Sequence, residues 1–198
     1  MAAGAPFGTK AISHFVQIAP FKYYSGKARR ALSPDWLPEF WTIQSRAART
    51  IKNTGMVVTT DLVNDLNDIH PRDKQDVGHR LALLARRNTY GEDVVASGPV
   101  FKRMKIEGNK AVLQFDHVDG GLMSTNGPLT WFTIAGQDGK FVPADAKIVG
   151  DTVEVSASAD NVDGAFQPTA VRFAWDETAQ PNFFNRAGLP TEPFQTEK

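Results

Sequence analysis

Two rhythms divide the chain. Up to about Gly91, short apolar runs alternate with stretches whose apolar residues return every three or four positions. Beyond it, apolar and polar residues mostly take turns, the period of a half-buried strand. "FVQIAP" (Phe15 to Pro20) predicts a buried strand ended by proline. "SPDWLPEFWTIQSRAARTI" predicts a helix. Ser33 is its candidate cap, Leu37, Phe40, Gln44, Ala47 and Ile51 lie at helical spacing, and "NTG" stops it. "MVVTTDL" (Met56 to Leu62) predicts a second strand. A polar loop then leads through His70 to Pro71, which suits the first turn of another helix. Val77, Leu81 and Leu84 stripe that helix, Ala85 lies beside them, and Arg86 and Arg87 sit near its C-terminal end, where the dipole favours cations. Gly91 suits its termination. Strand, helix, strand, helix implies parallel pairing through helical crossovers.

From Glu92 onward the pattern predicts β structure throughout. "VFKRMKI" and "AVLQF" flank "EGNK", a hairpin signal. "WFTIA" and "KFV" flank "GQDG", and "AKIV" and "TVEVS" flank Gly150-Asp151. In "AVRFAW", alternation puts Val171, Phe173 and Trp175 on one face. The tail "NFFNRAGLPTEPFQTEK" is apolar enough to pack back, with Pro190 and Pro193 keeping it irregular. The expected class is therefore α/β followed by all-β, with a boundary between Tyr90 and Ser97. Residues 1–92 would form one unit, and residues 93–198 a small antiparallel, sandwich-like one.

Composition narrows the function. Basic and acidic residues balance at 22 each, and no long basic run appears, so nothing points to a nucleic-acid partner. There is no cysteine, which removes disulfides, thiolate metal sites and thiol nucleophiles. The N-terminus, "MAAGAPFGTK", does not read as a signal peptide, and no apolar run approaches the roughly 18 residues of a spanning helix. No membrane partner is expected, and the compartment stays open.

One histidine stands where chemistry gathers. His70, in "NDIHPRDK", follows a strand and precedes a helix, the place where catalytic groups of open α/β sheets collect. A general base needs a partner that fixes its tautomer. Asp68, two residues earlier, can bend back to it, and Asp65 and Asp61 are further candidates. The plain alternative is a helix-start residue facing solvent. His14, His79 and His117 lie at no metal-ligand spacing, so no metal or cofactor is expected. No G-x-S-x-G elbow appears, and Ser25, Ser97 and Ser124 read as turn residues.

The stretches "FVQIAPF", "NTGMVVTTDL", "NDIHPRDKQDVGHRLAL", "SGPVFKRMKIEGNKAVLQFDHVDGGL", "FTIAGQDGKFVPADAKI" and "GLPTEPF" carry a resemblance. From about Ser13 onward the chain resembles the C-terminal part of the sialate O-acetylesterase family, which are SGNH-type carbohydrate esterases. The resemblance implies that residues 1–92 are the end of a flavodoxin-like, parallel-sheet hydrolase domain and residues 93–198 a β-rich accessory domain. It implies hydrolysis of acetyl esters on sugars, with a serine attacking the carbonyl, His70 taking its proton, and backbone and asparagine donors holding the oxyanion. A full-length parent would be secreted or periplasmic.

Two departures from the family pattern matter. In SGNH hydrolases the orienting acid generally lies three residues before the histidine. That position is Asn67 here, and the nearest acid is Asp68. The G-Q-S-N type turn that carries the nucleophile is missing, so the chain reads as holding the base without its serine. A parallel sheet cut in this way would expose an edge and seek an N-terminal partner segment or self-associate. Two other readings stand beside this one: a non-catalytic glycan-binding or interaction module, and a truncated esterase that recruits a serine outside the family pattern.

Overall fold

The computed structural model describes residues 12–24, 33–158 and 166–197. Strand β1 (Ser13–Val16), helix α1 (Trp36–Thr50), strand β2 (Thr54–Val57) and helix α2 (Lys74–Asn88) come first. β1 and β2 pair in parallel, Ser13 opposite Thr54 through Val16 opposite Val57. The strand–helix–strand–helix order expected from the sequence is present. The far edge of β1 carries no strand among the described residues; Ile12, just before the strand, and Val16, its last residue, are exposed.

Both helices differ in detail from the sequence pattern. α1 begins at Trp36 with Asp35 at its cap position and no side-chain cap bond. Ser33 takes part through its carbonyl, which accepts the Trp36 N–H at 3.1 Å. The buried face is Leu37, Pro38, Trp41 and Ser45, while Ile51 is exposed. Trp41 decides this phase. Its indole Nε1–H donates to the Ile18 carbonyl at 2.6 Å, and Gln44 Oε1 accepts the Ile18 N–H at 3.1 Å. The helix thus takes both backbone groups of the residue that leaves β1. α2 starts at Lys74, three residues past Pro71, because the Asp73 side chain accepts the Asp76 N–H at 3.0 Å and caps it. β2 is shorter than its apolar run. It ends at Val57, where Thr59 turns away to bond the side chain of Gln17.

All described elements after α2 are strands: β3 (Val100–Glu107), β4 (Lys110–Asp116), β5 (Leu122–Ser124), β6 (Phe132–Ala135), β7 (Phe141–Val149), β8 (Thr152–Ala157), β9 (Ala170–Phe173), β10 (Phe183–Asn185) and β11 (Phe194–Gln195). Seven form one antiparallel sheet in the order β11-β9-β6-β7-β8-β4-β3, and β5 pairs with β10. The three expected hairpins are present. The expected sandwich becomes a single curled sheet, nearly a barrel. The reason is β7, which pairs with β6 up to Pro143 and with β8 from Ala144 onward, so one strand serves both halves. Leu113, Val153, Ile134, Val171, Phe173 and Phe183 fill the space inside. Trp175 leaves the face shared by Val171 and Phe173, because Ala174 adopts a left-handed φ of 53° and breaks the alternation.

Two contacts lock the linker between α2 and β3 onto this core. A Cβ on Gly98 would stand 1.9 Å from the Pro190 carbonyl oxygen, so only glycine fits. Buried Asn185 donates to the Ser97 and His117 carbonyls at 3.0 and 3.1 Å and accepts the Leu189 N–H at 3.1 Å.

Candidate active site

The segment from Val58 to Asp73 has no regular structure, so contacts from elsewhere must hold it. Its start is fixed at two points. The Thr59 N–H donates to Gln17 Oε1 at 3.2 Å. Arg80, reaching out from α2, donates to both Asp61 oxygens at 2.8 and 2.5 Å and to the Val58 carbonyl at 2.7 Å. Leu62 and Val63 are buried and anchor the next step. From Asn64 the chain runs out to solvent.

Short acid-centred turns shape the exposed part. Asp65 Oδ1 accepts the Asn67 N–H at 2.9 Å and the Asn67 side-chain amide at 3.0 Å. Those two bonds hold the Asp65 carboxyl below the usual carboxylate range, the backbone bond contributing most. Asp68 Oδ1 accepts the His70 N–H at 3.0 Å. The same oxygen lies 3.6 Å from His70 Nδ1, beyond hydrogen-bond length. Arg72 Nε lies 3.8 Å from the other oxygen of Asp68. The His70 side chain is 83% exposed and that of Asp68 36%. Asn64, Asp65, Asp68, His70, Pro71 and Arg72 line a small cleft.

His70 and Asp68 are therefore neighbours, as the sequence spacing suggests, with Asp68 bonded to the histidine's backbone and only near its ring. Asn67 is engaged elsewhere, since its carbonyl oxygen accepts from Lys22 Nζ at 3.3 Å and its amide donates to Asp65. Asp61 is committed to Arg80. His79 is exposed on α2, His14 lies 3.4 Å from Asn88, and neither lines this cleft. Ser97 and Ser124 donate to the carbonyls of Gly98 and Gly127 and lie outside the cleft, and Ser25 lies outside the described residues.

Several residues that build the loop were not singled out in the sequence: Gln17, Lys22, Arg80, Glu177 and Gln180. Arg80 alone carried a visible signal, as a cation inside an apolar helical stripe.

No protein-family model matches the chain. It is 29% identical to human sialate O-acetylesterase over 153 residues, which is 72% of this chain and 29% of that protein. It is 38% identical to the mouse sialate O-acetylesterase over 69 residues, 33% of this chain and 13% of that protein. Among solved structures, a carbohydrate acetylesterase from Xanthomonas citri superimposes with a TM-score of 0.81 at 42% identity, covering 93% of this chain and 40% of that one. The chain is thus a relative of carbohydrate acetylesterases. Within them, the resemblance to the sialate O-acetylesterase family is borne out. The chain spans less than a third of the length of the curated relatives it matches.

Proposed function

We propose that this chain is part of a carbohydrate O-acetylesterase, with His70 as its general base and Asp68 as the group that orients it. The observation that carries the reading is a solvent-open imidazole in a loop that follows a parallel strand, with a carboxylate 3.6 Å from its Nδ1. Its support is the 42% identity to a carbohydrate acetylesterase over 93% of this chain. Residues 1–92 would be the C-terminal portion of an SGNH hydrolase domain, and residues 93–198 its β-rich accessory domain. The substrate would be an acetyl ester on a sugar.

The chemistry follows from the groups required. His70 takes the proton of a serine hydroxyl as the oxygen attacks the acetyl carbonyl. The tetrahedral oxyanion collapses, the sugar oxygen leaves, and the imidazolium returns the proton to it. Water then repeats the sequence on the acyl-serine, releasing acetate. Asp68, 3.6 Å from Nδ1, would close on Nδ1–H in the assembled site and leave Nε2 as the basic nitrogen. None of the described serines lines the His70 cleft, so this reading calls for a serine from outside the described residues, and the edge of β1 that carries no strand among them is where further parallel strands would add.

The test is acetate release from an O-acetylated sugar, using the chain alone and co-expressed with the N-terminal segment of a related esterase. Activity that appears on co-expression and vanishes with His70→Ala supports the reading. Full turnover by the isolated chain, lost on Ser25→Ala, Ser97→Ala or Ser124→Ala, replaces it with an esterase that uses a local serine. Glycan binding without turnover in either setting replaces it with a binding module.

A further inference from the structure

The loop that carries His70 is held partly by the β-rich part of the chain. Between β9 and β10 the chain makes a tight turn from Asp176 to Gln180. The turn is built on itself: the Asp176 carboxylate accepts the Thr178 N–H at 2.7 Å and its hydroxyl at 2.5 Å, and the Asp176 carbonyl accepts the Ala179 N–H at 3.1 Å. Both flanking strands are anchored in the core, through Phe173 and Phe183.

This rigid turn reaches the loop by two routes. Directly, Gln180 Nε2 donates to the Val63 carbonyl at 2.6 Å, just before the chain emerges toward His70. Indirectly, Glu177 takes the Phe21 N–H with its carbonyl at 3.1 Å and the Tyr24 N–H with its carboxylate at 2.6 Å. Between those two residues, Lys22 donates its N–H to the Leu66 carbonyl at 3.2 Å and its Nζ to Asn67 Oδ1 at 3.3 Å. Both routes end on the stretch that precedes Asp68 and His70.

We propose that the Asp176–Gln180 turn is a positioning element for the His70 loop, with Gln180 as its principal positioning residue through the bond to the Val63 carbonyl. The proposal rests on the reading of His70 as the base. Its physical logic is that a reacting side chain is placed well only when its loop is tied to a rigid element. Gln180 is itself exposed, so replacing it removes the bond without opening the core.

The experiment is amide hydrogen exchange on the whole chain, read residue by residue. In Gln180→Ala and Gln180→Glu the Val63 carbonyl loses its donor. The hydrogen-bonded amides of Asn67, Asp68 and His70 should then exchange about three- to tenfold faster, while amides of β4 and β8 keep their rates. Gln180→Lys keeps a donor and should restore most of the protection. Unchanged loop amides in the alanine and glutamate variants would overturn the proposal. So would an equal acceleration in β4 and β8, or lysine and glutamate variants that behave alike. Exchange is read without turnover, so a failure of His70→Ala to abolish acetate release would sink the base assignment and leave this result standing.

Discussion

Removing one member of the Asp61–Arg80 pair should damage the protein far more than removing both. The two side chains are 11% and 9% exposed, and the guanidinium grips both carboxylate oxygens. In Asp61→Leu the cation stays buried with the Val58 carbonyl as its remaining partner among the described residues. Breaking a buried pair from one side costs about 3–5 kcal/mol, against a total stability of about 5–15 kcal/mol for a domain. With a urea slope of about 2 kcal/mol per molar, the unfolding midpoint should fall by about 1.5–2.5 M. Arg80→Met should fall similarly, because it strands a carboxylate. The double replacement Asp61→Leu with Arg80→Met should recover most of the loss, since a well-packed apolar pair is often as stable as the ion pair it replaces. Equilibrium urea unfolding of the four proteins gives the coupling energy directly. Single variants that cost under about 1 kcal/mol, as exposed pairs do, would refute the claim that this pair holds the start of the histidine loop.

In a catalytically complete assembly, His70→Ala should lower kcat for acetate release by about 10²–10⁴, whereas Asp68→Asn should cost less, because its ring contact is longer than a hydrogen bond; equal losses would make the orienting role of Asp68 essential. The Asp65 carboxyl is held below its ordinary 3.8, so its turn is intact above that range and is lost as pH falls through the lowered value. Protection of the Asn67 amide should therefore be flat above about pH 5 and fall on acidification, with the pH dependence abolished in Asp65→Asn. Asn185→Ala leaves the Ser97 and His117 carbonyls and the Leu189 N–H without their partner, and should cost about 3 kcal/mol in thermal or urea unfolding.

The hairpins of the β-rich part were legible because their turn chemistry is local: "EGNK" and Gly150-Asp151 sit where the structure turns. Helix existence was legible too, through the 3.6-residue period. Its phase in α1 was not, because Trp41 and Ser45 define the buried face while the sequence stripe ran through Phe40 and Gln44. What Trp41 bonds, the Ile18 carbonyl, is 23 positions away and leaves no mark on the helix itself. The proposed site divides the same way. A histidine and an acid two residues apart, between a strand and a helix, are visible in the sequence. The groups that hold their loop are not, because Gln180 and Val63 are 117 positions apart and only the curled sheet brings them together. The failed alternation at Trp175 has a single cause, one left-handed alanine, which no propensity marks in advance.

The distance between Asp68 and the His70 ring bears on how such a site would work. Asp68 already accepts the histidine's backbone N–H at 3.0 Å, so the carboxylate is fixed next to the residue whatever the ring does. Bringing Nδ1 from 3.6 Å to an ordinary hydrogen bond near 2.9 Å needs a movement of about 0.7 Å. Rotation about the side-chain torsions of an exposed imidazole supplies that without moving backbone. Catalytic hydrogen bonds commonly tighten only when the reacting groups are assembled. The loop holds the backbone of His70 in place through Asp68, Asp65 and Asn67 and leaves the ring itself free. A ring free to turn can meet a hydroxyl on one nitrogen and Asp68 on the other in the same step. A base that acquires its orienting bond only when its nucleophile is present is what these two distances allow, and it makes the backbone bond from Asp68, rather than the ring contact, the feature that the isolated chain must preserve.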